Sequence, residues 1–100
     1  MSHLAVANEI RNQLGGMAFA MMGAKNLAGG DNFLQFSIGD NEKNISKICI
    51  RLDPSDTYTV SFYDRRGNIK HESNDVYCDM LHDVIEENTG LYLSFAPRRR

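Results

Sequence analysis

The sequence predicts an α+β fold, in which an antiparallel meander of four to five strands packs one face against an N-terminal and a C-terminal helix. Two observations predict it. Three central segments, FLQFSIG, SKICIRL and TYTVSFYD, alternate apolar and polar residues as strands with one buried face do. The segments on either side of them repeat apolar residues at helical spacing.

The N-terminal helix is predicted to follow Ser2, a residue type that caps helices. Its apolar side comprises Val6, Ala7, Ile10 and Leu14, and the pair Gly15-Gly16 ends it. The next segment, 18–22, is short, apolar and bounded by glycine, which favours a strand covered on both faces. The cluster LAGGDN then predicts a turn.

The three alternating segments define two faces of the sheet. The core face comprises Leu34, Phe36, Ile38, Ile48, Ile50, Leu52, Tyr58, Val60 and Phe62. The opposite, solvent-facing side comprises Gln35, Ser37, Lys47, Cys49, Arg51, Thr57, Thr59, Ser61 and Tyr63. LDPSD and DRRGN predict connecting turns, and NIKH predicts a short fifth strand.

The C-terminal helix is predicted from Asp75 to about Asn88, with Asn74 as its cap and Gly90 as its terminator. Its apolar face comprises Val76, Tyr77, Met80, Leu81, Val84 and Ile85. LYLSF is expected to pack as an extended tail. Residues 1–95 are therefore predicted to form a single domain, and residues 96–100 a disordered basic tail.

Composition narrows the classes of function. The 100 residues are 42% hydrophobic and 24% charged with a formal net charge of −2, as in a globular protein without a strong overall field. The longest apolar run, 17–24, is far shorter than the roughly 20 residues that span a bilayer. The first residues do not predict a secretion leader, and two cysteines are too few for a disulfide framework. We expect a cytoplasmic protein that does not bind membranes.

Two blocks, LGGMAFAMMGAKN near the start and NDVYCDMLHDVIEENTGLY near the end, carry a family resemblance. Together they resemble a family of small, mostly uncharacterised proteins encoded by bacteriophages, prophages and other bacterial mobile elements. The resemblance spans roughly residues 10 to 93. It implies a genomic context and the cytoplasm of a bacterial host, and it brings no activity with it.

One candidate surface is acidic. Asp75, Asp79 and Asp83 recur every four residues of the predicted helix, and like charges at this spacing repel by a few tenths of a kcal/mol per pair. Glu86 in the last turn opposes the helix dipole. The functional interpretation is a docking stripe for a basic partner, or mimicry of a nucleic-acid backbone, formed by Asp75, Asp79, His82, Asp83 and Glu86. An ordinary solvated face is the commoner explanation of such a pattern.

A second candidate surface is basic, and it would contact phosphates while an aromatic ring stacks on a base. Its predicted members are Lys25, Lys47, Arg51, Tyr63, Arg65, Arg66 and Lys70. The alternative is charge that only solubilises the chain, which fits the overall acidity.

The sequence does not match the motifs that are typical of catalysis or cofactor binding. In the glycine-lysine stretch, Gly23 and Lys25 are separated by Ala24 and followed by Asn26, which is not the pattern of a phosphate-binding loop. His71 and His82 belong to no compact Cys/His cluster, and so no metal is predicted. We predict neither catalytic residues nor a cofactor.

These observations favour a non-enzymatic accessory protein of a mobile element that acts by binding a macromolecule, with a host or phage protein as the expected partner. The most specific form of this hypothesis is an inhibitor or modulator of a host system, such as an anti-CRISPR-like or other anti-defence protein. One alternative is a nucleic-acid-binding accessory protein. Another is a structural protein that pairs with a second copy of itself.

Overall fold

The computed structural model describes residues 5–91 and 93. In chain order they form α1 (Ala5–Leu14), α2 (Gly16–Met22), β1 (Lys25–Gly29), β2 (Phe33–Ser37), β3 (Lys47–Leu52), β4 (Tyr58–Tyr63), β5 (Ile69–Val76), a turn of 3₁₀-helix (Cys78–Met80) and α3 (Leu81–Thr89). The predicted α+β architecture is confirmed. The Ser2 cap, most of the LYLSF segment and the tail at 96–100 lie outside the described residues.

The five strands join in chain order, and each is antiparallel to the next. Phe36 pairs with Ile48, which pairs with Phe62 on the following strand. Because directly paired residues point to the same side of a sheet, this register places the predicted core residues on one face. The alternation in the three central segments is therefore confirmed.

The helices cover that face and complete the core. α1 contributes Ala7, Ile10 and Leu14, α2 contributes Ala18 and Met22, and α3 contributes Leu81, Val84 and Ile85. The Phe19 ring meets Phe36 edge-on, with 5.2 Å between the ring centroids. None of the helices in the described residues packs on the opposite face of the sheet, which is here called the open face.

The strand predicted over residues 18–22 is wrong, because this segment belongs to helix α2. A short apolar run fits a buried strand and a buried helix equally well. Gly15 takes a φ of 86° and ends α1, but the chain resumes a helix at Gly16. Gly23 closes α2 in the left-handed conformation, with its N–H donating to the carbonyl of Ala20.

Both edge strands differ from the prediction. The LAGGDN cluster, predicted to be a turn, begins inside the exposed strand β1, and the turn itself occupies residues 30–32. At the other edge, β5 extends from Ile69 to Val76, well beyond the short NIKH strand. Edge strands lack a continuous buried face, and so they show little alternation. Register shifts in β1 and along the β4–β5 pair interrupt both edges, as is common at sheet edges.

The predicted start of the last helix is also wrong. Asn74 lies in β5, and α3 begins only at Leu81, because Val76 is still paired with Tyr58 of β4. Tyr77 and Met80, predicted to be buried, are 59% and 39% exposed. The predicted end is confirmed, since Gly90 is left-handed and its N–H donates to the carbonyl of Glu86.

Residues in the middle of the open face are less exposed to solvent than predicted. Thr59 and Ser61 point away from the core but are 2% and 3% exposed. Polar neighbours cover them: the Thr59 hydroxyl donates to the Asp53 carboxylate, and the Ser61 hydroxyl donates to Glu72 at 2.7 Å. Thr57 is likewise buried, with its hydroxyl 2.9 Å from that of Ser55. The prediction that these residues are solvated is therefore wrong.

Candidate functional site

The residues of the predicted acidic stripe do not share one helix. Asp75 lies in β5 with a φ of 56°, and Asp79 lies in the 3₁₀ turn. Only His82, Asp83 and Glu86 belong to α3. The four-residue spacing therefore does not create a continuous line of carboxylates, and the predicted geometry of this surface is wrong.

Two members of that set also have structural contacts. His82 Nε2 lies 2.8 Å from the main-chain carbonyl oxygen of Leu14, and because a carbonyl only accepts, Nε2 carries the proton. This bond joins α3 to the end of α1. Glu86 Oε2 accepts a hydrogen bond of 2.9 Å from the N–H of Leu93, which ties the following segment to α3.

The sheet register places several residues of the predicted basic surface on one line across the sheet. Lys25 pairs with Ser37, Ser37 with Lys47, Lys47 with Tyr63, and Tyr63 with Ile69. We call this line the basic row. Lys47 and Tyr63 belong to the open face by strand alternation, so the row crosses that face at one end of the sheet.

Within the basic row, Lys47 Nζ lies 4.8 Å from the centroid of the Tyr63 ring, which is a cation–π contact. The main chain of Tyr63 is fixed as well, since its carbonyl accepts a 2.7 Å hydrogen bond from the N–H of Ser46. The ring and the ammonium group thus lie together where β3 begins and β4 ends.

The β4–β5 turn extends the positive charge beyond the row. The Asp64 carboxylate accepts 2.9 Å hydrogen bonds from the N–H groups of Arg66 and Asn68, and these bonds lower its pKa, the one from Asn68 most strongly. Gly67 supplies the positive φ that the turn requires, at 86°. These bonds hold the main chain of the turn that carries the exposed residues Arg65 and Arg66.

Arg51 is separated from this group. It pairs with Phe33 and Thr59 at the opposite end of the sheet, where its Nε lies 3.3 Å from Asp53 Oδ1. The structure therefore brings Lys25, Lys47, Tyr63, Arg65, Arg66 and Lys70 to one end of the sheet and leaves Arg51 at the other.

A cleft of about 720 Å³ adjoins the same end, between the loop at 38–46 and the turn at 64–68. Arg65, Arg66 and Lys70 line it. Lys70 Nζ donates to the carbonyl of Lys43 at 3.3 Å, which connects β5 to the loop. Sequence analysis did not identify this loop as part of a site, although its asparagines are typical turn residues.

Asn41 holds the loop in shape. Its side-chain NH₂ donates to the carbonyls of Gly39 and Ile45, at 2.9 and 2.7 Å, and its oxygen accepts from the N–H of Ile45 at 3.0 Å. Asn44 completes the turn with a φ of 60°. One wall of the cleft is therefore preformed.

The cysteines and histidines do not assemble into a further site in the described part of the chain. Burial raises the pKa of the half-buried Cys49 thiol, although Arg51 and Lys47 nearby act in the opposite direction. Cys78 is exposed in the 3₁₀ turn. Across residues 5–91 and 93, no group of three His, Cys, Asp or Glu side chains is placed to hold a metal ion.

Comparison of the chain with protein-family models, curated proteins and solved structures gives no match. Among the helices of the described residues, none has the length and apolar character needed to cross a membrane.

Proposed function

We propose that this protein acts by binding a macromolecule, without catalysis, and that its main binding surface takes single-stranded nucleic acid. The basic row is the observation that carries this proposal. It places Lys25 and Lys47 on the same row as Tyr63, next to the turn that carries Arg65 and Arg66. Cations beside an aromatic ring, here the half-buried Tyr63, are the usual components of a single-strand interface.

The dimensions of the row suit a strand that crosses the sheet. Four inter-strand steps of about 4.8 Å give a length of roughly 19 Å from β1 to β5. Phosphates would contact Lys25, Lys47 and the arginines of the turn, and such contacts are largely independent of base sequence. We therefore expect binding that depends strongly on salt and weakly on sequence.

Tyr63 gives the surface its stacking position. A base that stacks on the ring would displace the Lys47 ammonium group, which lies 4.8 Å from the ring centroid. The displaced ammonium would remain within reach of the adjacent phosphate. Base–aromatic stacking contributes about 1–3 kcal/mol per base, so Tyr63→Leu should weaken binding by about fivefold to a hundredfold, whereas Tyr63→Phe should retain most of it.

The test is a titration of a labelled single-stranded oligonucleotide at several salt concentrations. For single strands the slope of log K against log salt is about −0.7 per neutralised phosphate, so five cations (Lys25, Lys47, Arg65, Arg66 and Lys70) predict a slope near −3.5. Lys47→Gln should reduce that slope by about 0.7. Arg51→Gln is the matched control and should leave it unchanged. Absence of binding at low salt would refute the proposal.

A protein partner is the second candidate, and the exposed side chains of Tyr77 and Met80 favour it. They lie where β5 leads into α3, next to Asp79, and large exposed apolar side chains beside charge are common in protein interfaces. In this hypothesis the chain is a mobile-element accessory protein that modulates a host system, for example as an anti-defence factor.

Affinity purification from a bacterial host, with and without nuclease, distinguishes the two candidates. A protein partner should survive nuclease treatment and be lost with Tyr77→Ser and Asp79→Lys, while Lys47→Gln retains it. Captured material that disappears after nuclease treatment would count against the protein partner.

A further inference from the structure

The cleft beside the basic row has the volume of a ligand site. Its volume of about 720 Å³ lies within the range of small-molecule pockets, roughly 300–1,000 Å³. The loop at 38–46 forms one wall and the turn at 64–68 forms the other. Asn41 fixes the first wall and Asp64 fixes the second, through side-chain hydrogen bonds to the main chain. Both walls are therefore held by hydrogen bonds within the protein itself.

The lining of the cleft favours an anion. Three cations, Arg65, Arg66 and Lys70, face two carboxylates, Asp40 and Asp64, which leaves an excess of one positive charge. One oxygen of Asp64 already accepts two main-chain N–H groups. Guanidinium groups present paired donors that match the oxygens of a phosphate, and an ammonium group adds a point charge.

We infer that this cleft binds the terminal phosphate monoester of a nucleic-acid strand, an inference that rests on the proposed function. A monoester carries about −1.5 to −2 charges near neutral pH, whereas each internal phosphodiester carries one, so concentrated positive charge favours the strand end. The position of the cleft agrees with this, because its lining residues Ile38, Ser46 and Asp64 are the chain neighbours of Ser37, Lys47 and Tyr63 in the basic row. The end of a strand that lies on the row is therefore adjacent to the cleft.

The experiment compares one oligonucleotide, labelled internally, in three forms: with a 5′-phosphate, with a 3′-phosphate and with neither. Fluorescence anisotropy gives the affinity of each form at the same salt concentration. For wild-type protein we expect one phosphorylated form to bind about tenfold more tightly than the unmodified form, the size of one additional charge-assisted hydrogen bond.

The ratio of these affinities isolates the cleft, because general weakening of binding cancels in it. The double variant Arg65→Gln/Lys70→Gln should bring the ratio close to one. Arg11→Gln, which removes an exposed positive charge from helix α1, is the matched control and should keep the wild-type ratio. A circular dichroism melt of each variant verifies that the fold is intact.

The possible outcomes separate the inference from the function on which it rests. If all three forms bind equally tightly to the wild type, the cleft does not take a strand end, while the single-strand interface stands. If the preference for a phosphorylated end persists in the double variant, the end binds elsewhere and the inference is wrong. If no form binds, both the inference and the proposed function fail.

Discussion

Removing the Asn41 side chain should destabilise the whole protein as well as the cleft wall. Asn41→Ala deletes three hydrogen bonds and leaves the carbonyls of Gly39 and Ile45 without this donor, in a partly buried position. Each bond contributes about 0.5–1.5 kcal/mol net, and because bonds from one side chain are not additive we expect a loss of about 2–3 kcal/mol. For a domain of this size, that lowers Tm by about 10–20 °C.

Urea unfolding followed by circular dichroism measures this loss of stability. Asn12→Ala is a suitable control, because Asn12 is an exposed residue of α1 and alanine favours helix, so stability should be unchanged or slightly higher. If the free energy of unfolding of Asn41→Ala lies within about 0.5 kcal/mol of wild type, the loop is not held as described.

Asn41→Asp separates the donor from the acceptor role of this side chain. The carboxylate still accepts from the N–H of Ile45, but it places an oxygen where the NH₂ group donated to two carbonyls. We therefore expect Asn41→Asp to be at least as unstable as Asn41→Ala at neutral pH. Wild-type stability in this variant would show that the two donated bonds contribute nothing.

Three further predictions follow from other contacts. His82→Ala should lower the free energy of unfolding by about 1 kcal/mol, because it removes the bond between α3 and the end of α1, while the exposed His71→Ala should have little effect; equal losses would argue against a specific role for the bond. Cys49 should react with iodoacetamide more slowly than Cys78, since Cys49 is half-buried and burial raises its pKa; equal rates measured by mass spectrometry would contradict this. Stability should fall as pH rises above about 9, because burial raises the pKa of both Cys49 and Tyr58 in the folded state, and the unfolded chain therefore releases these protons first. Urea midpoints across this range measure the decline, and the double variant Cys49→Ser/Tyr58→Phe should reduce it.

The three central strands, β2 to β4, were predictable because each of them has one face in the core. Phe36, Ile48 and Phe62 alternate with polar residues for that reason. The edge strand β1 has only exposed residues, and β5 is buried only at Val76, so neither carries the periodic signal. The start of α3 was misplaced because helical spacing continues through Val76 and Tyr77, while strand pairing with Tyr58 keeps this segment extended.

The candidate site was predictable as a set of residue types but not as an arrangement. The sequence identified Lys47, Tyr63 and the arginines of the turn, yet only the register places Lys25 on the same row. It also grouped Arg51 with them, although four positions along β3 separate Arg51 from Lys47 and bring it to Asp53. The loop held by Asn41 depends on hydrogen bonds between residues whose spacing follows no regular period.

The order of the strands has a consequence for how the chain reaches its native state. Each strand pairs with its neighbour in sequence, so every connection in the sheet is a hairpin and closes only a short loop. Short loop closure is fast, and proteins rich in local pairing fold rapidly. The contact between His82 and the carbonyl of Leu14 spans 68 positions and can form only after α3 has come together with α1. Destabilising this contact should therefore accelerate unfolding while leaving the rate of folding almost unchanged.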